Sequence, residues 1–282
     1  MVEVVCPSSL EDAVELAGAL EERARPLAGG TALVLLLTQG LLSVDHLIDL
    51  SRIPELDTIR HEQGVGLRLG ALATHRAIER SPVVRDHLPF LADVFHEVAN
   101  VRVRNQATVG GVLAEADYAS DPPAALVALD ARVRVVGPAG ERELPVSELL
   151  RGWYETTLVP GEIIVEVIVP DPQAGTSLAY RRFLSRSTQD RPCATVATAV
   201  SVSDGRCDEL RVVVGAVTAT PQRLSDVDDL ARGEPLSEEL AREIAHAYAR
   251  RIEPLSDARG SAWYRRQVVE ALVQRTLLEA VA

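Results

Sequence analysis

Apolar and polar positions along the chain separate short buried strands from amphipathic helices. Val2–Cys6 is apolar and mostly β-branched, which predicts a strand, and Pro7 stops it. Ser8-Ser9-Leu10-Glu11 has the spacing of a capping box, in which the Ser8 oxygen and Glu11 satisfy the first helical N–H groups. Leu10, Val14, Ala17 and Leu20 then share one helical face, ending near Glu21-Glu22. A short strand at Ala24–Ala28, an apolar helical run up to Gly40 and a buried strand at Val44–Leu50 complete a β-α-β-α-β order. That order predicts a small parallel α/β layer.

From Leu56 the texture changes. Gly64–Leu69 alternates as a strand, with Leu67 and Leu69 on one face and Arg68 on the other. Thr74–Ile78 starts a helix that Pro82 interrupts, and His87–Asn100 reads as a second helix. Val101–Arg104 leads as an extended segment into Asn105–Gly111. A helix is expected at Ala124–Leu129, and strands at Ala131–Val136 and Gly161–Val169, each closed by a proline. Asp171–Gly175 reads as a linker. Beyond it, Thr195–Ser203 and Leu210–Val217 form a strand pair turned at Asp204-Gly205. Helices follow at Ser237–Ile252 and from about Ser261 to the end. The expected division is 1–170, with subdomains of about 1–55 and 56–170, and a C-terminal α+β domain over 176–282.

Composition removes several chemistries. All 29 basic residues are arginine, so a Schiff-base lysine and a lysine-bearing P-loop are excluded. Cys6, Cys193 and Cys207 are scattered and the histidines show no H-E-x-x-H, so no metal or cysteine-ligated cluster is expected on this chain. A net charge of −12 disfavours nucleic acid. No apolar run reaches the ~18–20 residues of a membrane span, and the acidic start lacks the layout of a secretory signal, so a cytoplasmic protein is expected.

Two glycine loops carry the candidate chemistry. Ala28-Gly29-Gly30-Thr31-Ala32 lies between a strand and a helix, where backbone N–H groups can hold an anion. Read plainly, it is a tight turn with a capping threonine. Thr108-Val109-Gly110-Gly111-Val112 repeats the pattern, and together the loops can grip the two phosphates of a dinucleotide without lysine. Neither is the G-x-G-x-x-G of a Rossmann site. Asp121 follows closely: it serves either sugar hydroxyls or a ring N–H, or it merely opens the helix at Pro122-Pro123.

Taken together, Leu27–Thr31, Leu69–His75, Val103–Gly111 and Tyr180–Ala197 resemble the FAD-binding medium subunits of the molybdenum hydroxylases, the xanthine dehydrogenase and molybdenum carbon monoxide dehydrogenase group. The resemblance spans nearly the whole chain. It implies an α/β plus α+β protein: a two-subdomain, vanillyl-alcohol-oxidase-like FAD-binding fold, then a C-terminal domain of antiparallel sheet and helices. It implies that both loops grip FAD, that Asp121 is an acidic ligand to it, that Ile164 packs near the flavin ring, and that Arg181 lies near the isoalloxazine. Thr74 and His75 are read as structural or gating, and no residue of the chain as catalytic. The implied partners are a small subunit with two [2Fe–2S] clusters and a large subunit with the molybdenum cofactor; the acceptor is NAD⁺, oxygen or another molecule. The alternatives are a non-catalytic assembly subunit, its FAD binding weakened by Ala32 and Val112, and a free-standing flavoprotein oxidase. Arg102, Arg104, Arg181 and Arg182 either meet an acidic partner or the phosphate of NAD⁺ or, read plainly, form a solvated arginine surface, and the plain reading is preferred.

Overall fold

The computed structural model describes residues 2–280. The N-terminal layer comprises β1 (Glu3–Val5), α1 (Leu10–Leu20), β2 (Ala24–Leu27), α2 (Leu33–Thr38) and β3 (His46–Asp49). Its strands are parallel, in the order β1-β3-β2. The α1 helix lays Ala13, Val14 and Ala17 over Ile48. Its cap is Ser9, which accepts from the Asp12 N–H, and not Ser8 with Glu11. Of two adjacent serines, the one whose backbone turns extended at the helix start takes the role. None of the α2 side chains is buried, and Val34, Leu35 and Leu36 face solvent.

The next region runs β4 (Ile59–Glu62), β5 (Gly66–Gly70), α3 (His75–Arg80), α4 (Pro82–His87), α5 (Pro89–Glu97), α6 (Val101–Arg104), α7 (Val109–Glu115) and α8 (Pro122–Ala128). It continues through β6 (Arg132–Gly137), β7 (Gly140–Pro145), α9 (Val146–Leu149), β8 (Leu150–Gly152), β9 (Glu155–Thr156) and β10 (Ile163–Val169). The sheet order is β4-β5-β10-β6-β7, all antiparallel. A bulge between Ile164 and Glu166 shifts the phase of β10. Ile163 and Val165 therefore join the N-terminal core, whereas Ile164, Val167 and Val169 join the larger core beneath α5 and α8. Glu166 turns to the other face among Arg60, Arg68 and Arg134.

Two expectations are corrected in this region. Pro89 lacks an N–H and constrains Leu88, so 87–100 is not one helix: His87 ends α4, and α5 stops at Glu97. Val101–Arg104 is one turn of helix capped by Asn100, not an extended lead-in.

The C-terminal region contains β11 (Thr176–Phe183), β12 (Ala194–Ser203), β13 (Arg206–Gly215), β14 (Gln222–Arg223), α10 (Ser225–Asp228), α11 (Glu238–Arg251) and α12 (Ala262–Ala280). Its antiparallel sheet, β11-β12-β13-β14, is covered on one face by α11 and α12. Ala197 and Val213 on the other face enter the larger core with the residues of α8, and Leu178 and Tyr180 pack against it. That burial on both faces explains why β12 carries an unbroken buried run over its first eight residues. The two regions are also tied by Tyr118, whose hydroxyl donates to Asp257 at 2.7 Å. The fully buried Arg265 donates to Asp257 and to the carbonyls of Cys193 and Ala216.

Candidate functional site

The two glycine loops lie against each other. A Cβ on Gly29 would stand 1.7 Å from the Gln106 carbonyl oxygen and 3.2 Å from the Ala107 Cα, so only glycine lets the first loop rest on the chain entering the second. Gly30 has φ +70, a backbone that favours glycine. The N–H groups of Gly29, Gly30, Thr31 and Ala32 donate to no partner among the described residues. Thr31 is exposed, and α2 has no side-chain cap, so the capping reading of Thr31 does not hold. The first loop thus presents a run of unpaired donors and a hydroxyl.

The second loop is built differently. Val109 N–H donates to Ala73 O at 3.0 Å, Gly110 N–H to Ala71 O at 2.8 Å, and Gly111 N–H to the Thr108 hydroxyl at 3.1 Å. Thr108 is therefore the cap of α7, and its glycines serve close packing. A Cβ on Gly110 would meet the Ala71 Cβ at 2.6 Å. Val112 and Ile164 are buried in the same core as Ala71 and Val109.

Asp121 stands at the start of α8 with a buried carboxylate and makes no capping bond, so it does more than open a helix. It accepts the Tyr180 hydroxyl at 2.7 Å, and Arg182 Nη1 lies 3.5 Å from both of its oxygens. Burial pushes its carboxyl up to about 6, against the lowering charge of Arg182 and the Tyr180 hydrogen bond. Arg181 points the other way. In a strand successive side chains alternate, so Tyr180 and Arg182 face the N-terminal regions while Arg181 pairs with Glu279 on α12 at 2.6 Å.

Comparison with known proteins gives the fold its family. Residues 1–172 match the model of the FAD binding domain in molybdopterin dehydrogenase, and residues 179–280 that of the CO dehydrogenase flavoprotein C-terminal domain. The chain belongs to the FAD-binding medium subunits of the molybdenum hydroxylases. It is 36% identical over 276 residues to the nicotine 6-hydroxylase medium subunit of Paenarthrobacter nicotinovorans, covering 98% of this chain and 96% of the relative. It is 34% identical to the carbon monoxide dehydrogenase medium chain of Hydrogenophaga pseudoflava, covering 98% and 96%. The solved structure of that carbon monoxide dehydrogenase superposes with a TM-score of 0.96, over 99% of this chain and 97% of the other.

FAD is the cofactor of this medium-subunit family, and the donor set of the first loop fits it: a pyrophosphate needs N–H and O–H donors, and here they stand free. Bringing Ala28–Ala32 against Gln106–Ala107 joins the two motifs that the sequence singled out. Arg181 pairs with Glu279 on α12 and makes no contact with these loops or with Asp121. Arg181→Ala is expected to leave flavin content and flavin potential unchanged, which redox titration of the bound flavin checks.

Two arginines read as solvated are held in ion pairs instead: the buried Arg104 donates to Glu79 at 3.0 Å, and the partly buried Arg182 to Glu97 at 2.9 Å. His75 is a core residue. Its ring meets Phe95 edge-on at 4.9 Å, both of its nitrogens are buried without partners, and burial holds its pKa down to about 4. It therefore stays neutral near pH 7. Among the described residues no cluster of His, Cys, Asp or Glu could hold a metal, and no helix is long and apolar enough to cross a membrane.

The contacts of Tyr180 and of Arg182 with Asp121, and the pairing of Arg182 with Glu97, are what sequence reasoning missed. The signal available for the first two was the two-residue period of β11 itself.

Proposed function

We propose that this chain is the electron-transfer subunit of a molybdenum-containing hydroxylase or dehydrogenase complex in the cytoplasm. Substrate is oxidised on a large partner chain that holds the molybdenum cofactor, and a small partner chain carries the electrons on two [2Fe–2S] clusters. Bound FAD supplies the redox chemistry that joins one-electron clusters to an external acceptor, whether NAD⁺, oxygen or another molecule. The chain's own part is to hold and surround the flavin. Ala28–Ala32 offers donors to the pyrophosphate, Thr108–Val112 buttresses that loop, and Asp121 offers an acceptor to hydroxyl or N–H groups.

The observation that carries this reading is the loop of unpaired N–H groups, in a chain matched to the family almost end to end. Exposed apolar surface supports the partner chains. Val34, Leu35, Leu36 and Leu41 lie beside or just beyond the first loop, and Trp153, Tyr154 and Trp263 are exposed elsewhere. Affinity purification of the tagged chain from its native cells is expected to recover two further chains, one containing iron and the other molybdenum. Recovery of the chain alone, with turnover of a substrate of its own, would contradict the proposal and favour a free-standing oxidase.

A further inference from the structure

The surroundings of Asp121 hold unused hydrogen-bonding capacity. Its residue is 4% exposed, and its carboxylate faces Tyr180 and Arg182 from β11 and the charge of Glu97 from the end of α5. Tyr180 makes one strong bond, whereas Arg182 Nη1 stays at 3.5 Å, the outer limit for such a bond. An ionised carboxylate has about four acceptor sites, so Asp121 can accept more than it does. The Arg182 side chain is 9% exposed, and its Nη2 is fixed by Glu97 at 2.9 Å and by the Thr188 carbonyl at 3.1 Å. Its Nε–H is buried without a partner. A buried acceptor with spare lone pairs beside a buried unused donor is costly to leave empty. A ligand that offers hydroxyl or ring N–H groups relieves that cost, and a phosphate does not, because Asp121 repels it.

We propose that Arg182 is a positioning residue for the flavin: it keeps Asp121 an anion that accepts from the cofactor's hydroxyl or N–H groups, and it ties that carboxylate to the C-terminal domain. This deepens the FAD-binding reading above and rests on it. Two consequences follow from the placement. FAD retention requires β11 as well as the glycine loops, and it weakens as Asp121 takes up a proton. The direction of the variant effect is set by the neighbours. Burial and the Glu97 charge push the Asp121 carboxyl up, while the Arg182 charge and the Tyr180 hydroxyl pull it down. Removing either of the latter moves protonation, and with it cofactor loss, to higher pH.

The test is FAD titration of the full chain, followed by flavin absorbance and fluorescence, across about pH 5 to about pH 8. The wild-type chain is expected to lose roughly tenfold or more in FAD affinity on the acid side, the value of a hydrogen bond to a charged group. Arg182→Met is expected to move the midpoint of that loss up by about one pH unit or more. Arg182→Lys restores most of the shift, and Arg181→Met overlays the wild type. Should Arg182→Met fail to fold, Tyr180→Phe removes a single hydroxyl and is expected to shift the midpoint in the same direction. An unshifted midpoint in a folded Arg182→Met or Tyr180→Phe chain overturns the proposal, as does an equal shift from Arg181→Met. A folded wild-type chain that binds FAD at no pH overturns the FAD-binding reading itself.

Discussion

Replacing Gly29 with alanine is expected to abolish FAD retention and to destabilise the N-terminal half of the chain. The added methyl would fall 1.7 Å from the Gln106 carbonyl oxygen, a backbone atom that no rotamer change can move aside. The first loop must then lift from Gln106–Ala107, which displaces the unpaired N–H groups of Gly29–Ala32 from the wall that holds them. Overpacking of this kind costs about 1–3 kcal/mol, or a fall of roughly 2–4 °C in Tm for each kcal/mol in a chain of this order of size. The flavin loss is the larger effect because positioned donors lose most of their value when misplaced by about 1 Å. Bound flavin per folded chain, read from the visible spectrum after desalting, checks the first half of the prediction. A thermal melt checks the second.

Glu79→Ala is expected to cost more stability than any other single truncation beside the second loop. Glu79 is 3% exposed and accepts from Arg104 at 3.0 Å, from His96 Nδ1 at 2.9 Å and from Arg76. Arg104 is itself buried and donates from Nη1 to the carbonyls of Val98 and Ala99. Removing the carboxylate leaves a buried guanidinium without its counter-charge, a loss of about 3–5 kcal/mol. The helical turn α6, which ends at Arg104 and feeds Asn105–Gly111, loses its anchor with it. Burial alone would raise the Glu79 carboxyl, but the hydrogen bonds from His96, Arg76 and Arg104 outweigh it and hold the group down at about 2. The folded-state value therefore lies below the unfolded one of 4.5. Its contribution to stability is complete above the unfolded value and disappears as pH falls through about 2. Urea melts of wild type and variant are expected to differ most above about pH 5 and to converge in acid. A difference independent of pH would refute the assignment.

Sequence patterns reached the elements whose physics is local. The apolar run of β10, the turn at Asp204-Gly205 between β12 and β13, and the Ser237 cap of α11 each announce themselves within a few residues. β7 escaped because Glu141-Arg142-Glu143 is polar on both faces, as an edge strand permits. The choice of Ser9 over Ser8 turned on backbone angles that two equal serines conceal. At the site, the two glycine loops were legible by their composition. Their unequal roles were not: whether an N–H is free depends on Ala71 and Ala73, which come from a different segment. Glu79 was invisible for the same reason, since its three partners lie on α3, α5 and α6 and meet only in the fold. The alternation of β11 also separates Arg181, which turns to Glu279, from its two neighbours in the strand. Pairing Tyr180 with Arg182 across a two-residue period puts the cation facing Asp121 one position later.

On this reading the chain holds FAD through Ala28–Ala32, with Asp121 as a second point of attachment. Equilibrium titration of the purified full chain with FAD, read by flavin absorbance and fluorescence at about pH 7.5, tests it most directly. Saturation at one FAD per chain, lost in Gly29→Ala and intact in Arg181→Ala, is the predicted result. A folded wild-type chain that takes up no FAD, or one whose uptake survives Gly29→Ala unchanged, would contradict it.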